Sequence, residues 1–149
     1  MKLQARERFC EVCLWSMKPE TRERAKQFFK NIGAKTQSYG NKNQHLSIDC
    51  KTRECAEFAI AYAASNRINY DVGLMNTNSV HLEELAKYDI TPLKLLEPNT
   101  SIKVGAWELS GCINRYGQNL NAINCYNGIS KNNRYYLKVV SNYSQQRKM

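Results

Sequence analysis

The sequence predicts a mainly α fold: a bundle of short helices over residues 54–149, preceded by a basic segment, residues 1–53, that reads as no particular fold. Three observations carry this. From Glu54 onward no segment shows the period-two alternation of apolar and polar residues that marks a half-buried strand. Ile102, Ala106, Leu109 and Ile113 step by four, three and four, the spacing of one buried helical face. Pro, Gly and Asn also fall between the apolar stretches, where helices would start and stop.

The elements follow in order. Pro19 to Asn31 reads as a helix, with Pro19 at a first helical position, acidic Glu20 and Glu23 early, and Gly33 as the stop. Its apolar residues, Ala25, Phe28 and Phe29, are few, so it lies on the surface or packs through that aromatic patch. Ala34 to Gln44 is polar and reads as loop; Leu46 to Asp49 is either a brief strand or the start of a helix. Glu54 to Ser65 is rich in alanine, which costs least in a helix. Asn66 to Asn69 forms a turn. Asn78 or Ser79 caps a helix through Tyr88, with Val80, Leu82 and Leu85 apolar. Thr91-Pro92 starts a short helix that ends before Pro98, and Asn99 or Thr100 begins the long one, closed by Gly117. Leu120 to Tyr126 is a short helix ending at Gly128, and a last one runs from about Asn133 to Tyr143.

The basic character belongs to the N-terminal third. Residues 1–53 hold 12 Lys/Arg against 5 Asp/Glu, and the rest of the chain 10 against 8. Such a surface attracts phosphates, anionic lipid or anionic wall polymers without choosing among them. With little aromatic interleaving for base stacking, nucleic acid is not the expected partner. No apolar run approaches the roughly 20 residues of a membrane span. No signal peptide is visible, since Met1 to Phe9 is charged and no apolar run follows. Cys10-x-x-Cys13 with Cys50 and Cys55 offers four thiolates for zinc, but the second pair is loosely spaced and far from the first, so no metal is assigned. Cys112 and Cys125 are either a disulfide or two buried thiols. His45 and His81 have no partner at metal spacing, and no cofactor is expected.

Chemistry concentrates in Tyr70-Asp71-Val72-Gly73-Leu74-Met75-Asn76-Thr77-Asn78-Ser79. Gly73 lets backbone approach a ligand closely. The side-chain amides beside it supply paired donors and acceptors suited to hydroxyls and acetamido groups.

Asp71-Val72-Gly73-Leu74-Met75-Asn76-Thr77-Asn78-Ser79 resembles the Asp-x-Gly-Leu-Met-Gln-Ile-Asn-Ser run of the lytic transglycosylases, in particular the small enzymes that accompany secretion, conjugation and pilus machines. Four later stretches are similar to that family's boxes, in the same order. Ser101-Ile102-Lys103-Val104-Gly105-Ala106 stands for Asn-Ile-x-x-Gly-Ala, and Arg115-Tyr116-Gly117 for its Arg-Tyr-Gly turn. Cys125-Tyr126-Asn127-Gly128 stands for Ala-Tyr-Asn-x-Gly, one residue shorter. Arg134-Tyr135-Tyr136-Leu137-Lys138-Val139 stands for the closing Arg-Tyr-x-x-Lys-Val. The resemblance covers about residues 54–143 and implies a lysozyme-like fold. Residues 1–53 resemble nothing in the family. A family bridge to a cysteine just after Asp-Pro is absent, because that place reads Glu97-Pro98-Asn99.

The resemblance implies cleavage of the bond between N-acetylmuramic acid and N-acetylglucosamine in peptidoglycan. Most glycosidases use two carboxylates. This family uses one glutamic acid, first as acid to the leaving oxygen and then as base to the sugar's own 6-hydroxyl, closing a 1,6-anhydro ring. A carboxyl with both jobs needs an apolar, partly desolvated pocket that raises its pKa. By separation from Asp71, Glu54-Cys55 takes the place of the family's Glu-Ser, with Glu57 the other candidate. The family's apolar helix before the acid is replaced by Asp49-Cys50-Lys51-Thr52-Arg53, and its Asn-Pro after the acid is missing.

Gly73, Leu74, Met75 and Asn76 are expected to line the sugar groove. Tyr126 is expected to hold the acid by a hydrogen bond, with Asn127 beside it, and Asp71 to bond loop amides. The expected partners are glycan strands and components of a secretion, conjugation or pilus machine, in the periplasm or envelope. The alternative implied by the altered segment before Glu54 is a catalytically impaired glycan-binding or scaffold protein of the same fold.

Overall fold

The computed structural model describes residues 11–127, 141–143 and 145. The chain divides into two compact units, Phe9–Ile102 and a second one from Lys103 onward. Taken together the described residues are mainly α, as expected. The helix expected from about Asn133 and the box from Arg134 to Val139 lie outside the described residues, apart from helical turns at 141–143.

The first unit is built on a five-stranded antiparallel sheet: β1 (Val12–Leu14), β2 (Lys35–Tyr39), β3 (His45–Asp49), β4 (Tyr70–Val72) and β5 (Thr77–Asn78), in the order β2-β3-β1-β4-β5. Two expectations are corrected here. Ala34–Gln44 is not all loop, and strands do occur after Glu54. Both β4 and β5 are too short to display a period. β1 is buried along its whole length, so it reads as a plain apolar triplet rather than an alternation.

β1 pairs on both sides. Val12 lies opposite Ile48 and Val72, Cys13 opposite Ser47 and Asp71, and Leu14 opposite Leu46 and Tyr70. Strands from residues 12–49 and from residues 70–78 thus share one sheet, and the boundary expected between residues 53 and 54 falls inside this unit.

Two helices pack on the sheet: α1 (Pro19–Asn31) on β2 and β3, and α2 (Arg53–Ser65) on β1 and β4. α1 starts with Pro19 and stops where expected. Gly33, at φ +84°, takes the left-handed position, while the Gly33 and Ala34 amides donate to Lys30 and Phe29 carbonyls at 3.0 and 2.9 Å. It packs through its aromatic patch: Phe28 stacks on Tyr62 of α2 with ring centres 4.8 Å apart, and the fully buried Phe29 meets the same ring at 5.3 Å. Along α2 the buried positions are Ala56, Ala59, Ile60 and Ala63, and the three small alanines let the helix lie close to the sheet.

After β5, Asn78 caps a single 3-10 turn (Ser79–His81) that leads into α3 (Leu82–Ala86), of which Leu85 is buried while Val80 is exposed. Thr91 caps a second 3-10 segment, Pro92–Leu96, its Oγ1 accepting from the Lys94 amide at 3.3 Å. α4 (Pro98–Tyr116) then carries the chain from the first unit into the second, where α5 (Leu120–Asn127) follows.

The buried face of α4 is not the expected one. Ile102 and Ala106 are exposed and Leu109 and Ile113 half-buried, whereas Ser101, Val104, Gly105, Glu108 and Cys112 are buried. Two tethers set this rotation: the Ser101 hydroxyl bonds the β4–β5 turn, and Cys112 is disulfide-bonded to Cys125 of α5. Specific tethers override an apolar stripe that is only modestly hydrophobic.

The cysteine questions close in favour of oxidation. Cys112–Cys125 is a disulfide, Cys50–Cys55 is another at the start of α2, and Cys13 is disulfide-bonded as well. A four-thiolate zinc site from Cys10, Cys13, Cys50 and Cys55 is thereby ruled out, since bridged sulfurs are not thiolate ligands. Cys10 itself lies outside the described residues.

Candidate active site

The β4–β5 connection is held by two left-handed residues, Gly73 (φ +86°) and Asn76 (φ 51°), with the Asn76 amide donating to the Gly73 carbonyl at 3.0 Å. Glycine is required at 73 for two reasons. The left-handed backbone disfavours a side chain. A Cβ there would also collide with the Leu95 backbone carbonyl and stand 3.0 Å from Ser101 Oγ. The same hydroxyl accepts from the Met75 amide at 2.9 Å, and Ser101 is fully buried. Ser101, which opens the Ser101–Ala106 stretch, therefore meets the distant Asp71–Ser79 stretch at one turn. Serine is what permits the contact, as its short side chain fits beside Gly73.

The turn is braced from within the strands. Asp71, 2% exposed, accepts from Asn78 Nδ2 at 2.9 Å, and Asn78 Nδ2 also donates to Asn69 Oδ1 at 2.6 Å. Asn78 Oδ1 accepts the Val80 amide at 3.0 Å, and Ser79 Oγ accepts the Tyr70 amide at 3.2 Å. Asp71 bonds a side-chain amide of its own loop, in keeping with the positional role expected of it.

Gly73 is buried, while Leu74 and Met75 are half-exposed and form the outward side of the turn. Asn76 has a different job from the one expected. It is 2% exposed, its carbonyl oxygen lies 3.6 Å from Cys13 Sγ on β1, and it faces the sheet rather than solvent. One methylene shorter than the glutamine of the resembling run, it is held beside its own strand.

Glu54 and Glu57 sit on the first turns of α2. Thr52 caps this helix by accepting the Cys55 amide at 3.2 Å, which turns Glu54 out to solvent. Glu57 is half-exposed and pairs with Arg53 at 3.3 Å. Neither carboxyl has the apolar surroundings that a single acid-base glutamate needs. Tyr126 and Asn127 belong to the second unit, at the end of α5. Tyr126 is 7% exposed, one turn after the buried Ala122, and its helix is anchored to α4 by Cys112–Cys125.

A carboxyl that sequence reading passed over lies just before β1. Glu11 lines a cleft of about 350 Å³ with Asp49, Cys50, Lys51, Thr52, Arg53, Ala56 and Leu96. Burial first, and the Asp49 carboxylate second, push its pKa above the ordinary glutamate value. Its carbonyl accepts the Gly73 amide at 2.8 Å, which extends the β1–β4 ladder by one bond and fixes Glu11 against the turn. The available signal was an acidic residue bordering the apolar triplet Val12-Cys13-Leu14; its burial comes from pairing with residues 46–48 and 70–72.

A model of the transglycosylase SLT domain matches residues 35–148. The invasion protein IagB of Salmonella typhi is 37% identical over 86 residues, covering 53% of this chain and 54% of that protein. IagB of Salmonella typhimurium strain SL1344 is 39% identical over 80 residues, covering 49% and 50%. The chain spans about half the length of these curated relatives. No solved structure matches it. Since the SLT model covers most of the sequence and the described fold is mainly α, the chain belongs to the lytic transglycosylases of the SLT-domain family.

Proposed function

We propose that the protein acts on peptidoglycan as a lytic transglycosylase, cleaving the N-acetylmuramic acid–N-acetylglucosamine bond and leaving a 1,6-anhydro end. The observation that carries this reading is the union of two family boxes at one turn: Gly73 packed under the Leu95 carbonyl and the Met75 amide held by Ser101. A backbone fixed this firmly presents Leu74 and Met75 as one preorganised wall for a sugar, with no loop ordering required on binding. Tyr126 and Asn127 supply further groups suited to the glycan. The protein works in the periplasm or cell envelope, where disulfides such as Cys50–Cys55 and Cys112–Cys125 persist. No helix among the described residues is long and apolar enough to cross a membrane. The naming of its relatives as invasion proteins fits local wall opening for a secretion, conjugation or pilus machine.

The test is digestion of purified sacculi followed by separation of the released muropeptides. Release of 1,6-anhydromuropeptides is expected; reducing ends in their place, formed by water, would refute the mechanism. A second reading, a glycan-binding scaffold without an acid, is favoured by the exposure of Glu54. Saturable binding to sacculi with no product supports it.

A further inference from the structure

We propose that Glu11, at the head of β1, is the carboxyl that carries the proton in this glycan cleavage, with Asp49 as its neighbour in the cleft. The inference rests on the transglycosylase reading above and adds a residue that the family resemblance does not supply. Four features of the structure lead to it.

The cleft is large enough for a ligand, at about 350 Å³ within the ~300–1,000 Å³ common for binding pockets. Glu11 is half-buried on its wall, whereas Glu54 is exposed and Glu57 is held by Arg53. It is tied to the sugar-facing turn, because its carbonyl takes the Gly73 amide; Leu96, next to the Leu95 carbonyl that covers Gly73, lines the same cleft. Last, the remaining lining suits the substrate: Ala56 and Leu96 are apolar, and Lys51 and Arg53 offer cations to the carboxylates that muramic acid and its peptide carry.

The charged groups that face Glu11 act in opposite directions. Asp49, at the end of β3, favours the protonated form, while Lys51, just before α2, and Arg53, its first residue, favour the ionised one. Desolvation is the largest influence, Asp49 the next, and together they raise the Glu11 pKa above the ordinary glutamate value.

The step is redox-neutral and needs no co-reactant. Protonated Glu11 gives its proton to the glycosidic oxygen as the bond from that oxygen to C1 of N-acetylmuramic acid breaks. The 6-hydroxyl oxygen of the same sugar bonds to C1, and its proton passes to the Glu11 carboxylate. The products are the 1,6-anhydro sugar and a free N-acetylglucosamine hydroxyl, and Glu11 ends protonated as it began.

The experiment follows muropeptide release from sacculi by the native chain and by Glu11→Gln, Glu11→Asp, Asp49→Asn and Glu54→Gln, across acidic to neutral pH. Glu11→Gln is expected to slow release by ~10²–10⁴-fold, with partial rescue by Glu11→Asp, while Glu54→Gln stays within about threefold of native. Asp49→Asn is expected to move the alkaline limb of kcat/KM to lower pH, an effect that a purely structural Glu11 would not produce. Thermal unfolding provides a readout apart from activity. With a folded pKa raised above the ordinary value of 4.5, Glu11 loses stability for the fold as pH rises through that folded value. Glu11→Gln should therefore melt higher than native near neutral pH, with the gain gone below 4.5. Native activity with Glu11→Gln fully active, or with an alkaline limb unmoved by Asp49→Asn, overturns the assignment of Glu11 alone. A native chain that releases nothing overturns the transglycosylase reading and this assignment with it.

Discussion

Replacing Gly73 by alanine separates two effects that usually come together. Gly33 and Gly73 have nearly the same left-handed backbone, φ +84° and +86°, but a Cβ at 33 would meet nothing within 4 Å, while one at 73 would strike the Leu95 carbonyl. Gly33→Ala should therefore cost only the left-handed strain, about 1–2 kcal/mol. Gly73→Ala should add about 1–3 kcal/mol for overpacking, because the atom in the way is backbone and cannot swing aside. For a domain of this size each kcal/mol lowers the melting temperature by about 2–4 °C. Denaturant or thermal unfolding of the two variants, disulfides intact, reads the difference directly. Equal losses would show that the Leu95 carbonyl does not confine Gly73, and the proposed sugar-binding wall would go with it.

Ser101→Ala leaves the Met75 amide without its buried acceptor and should cost about 1–3 kcal/mol, with faster hydrogen exchange at Met75 as the specific signature. Cys112→Ser with Cys125→Ser opens a link of 13 residues and should cost about 3 kcal/mol, and the same change at Cys50 and Cys55, 5 apart, about 2 kcal/mol, both measured by denaturant unfolding. Burial among Trp15, Tyr39 and Gln44 lowers the pKa of His45 from 6.5, and its Nδ1 accepts the Ser16 amide at 3.0 Å. The unfolded chain then binds the proton first. Stability should be full above 6.5 and fall as pH drops below it, a slope that His45→Gln removes.

What the sequence revealed was local. Gly33 as a helix stop, Pro19 as a start and the capping by Asn78 and Thr91 are each decided within a few residues, and each matches the structure. The Gly73 turn was legible as a special backbone, because glycine beside a run of amides has few other uses. Non-local features were not legible. β1 is three residues long and gains its meaning from partners more than thirty positions away. The face that α4 buries is chosen by Ser101 and Cys112 against a visible apolar stripe. Separation from Asp71 points to Glu54, yet the Thr52 cap fixes a helical phase that leaves it exposed. No local pattern marks Glu11, because its burial comes from strand pairing.

β1 also dictates when the fold can close. It lies between β3 and β4, so half its ladder waits for residues 46–48 and the other half for residues 70–72. The earliest described strand is thus completed among the last, which gives the first unit a high contact order and slow closure relative to its helices. A chain emerging from synthesis can form α1 and α2 while the middle of its sheet is still an open slot between unpaired edges. In pulse-labelled refolding, amides of Val12–Leu14 should gain protection after those of α2.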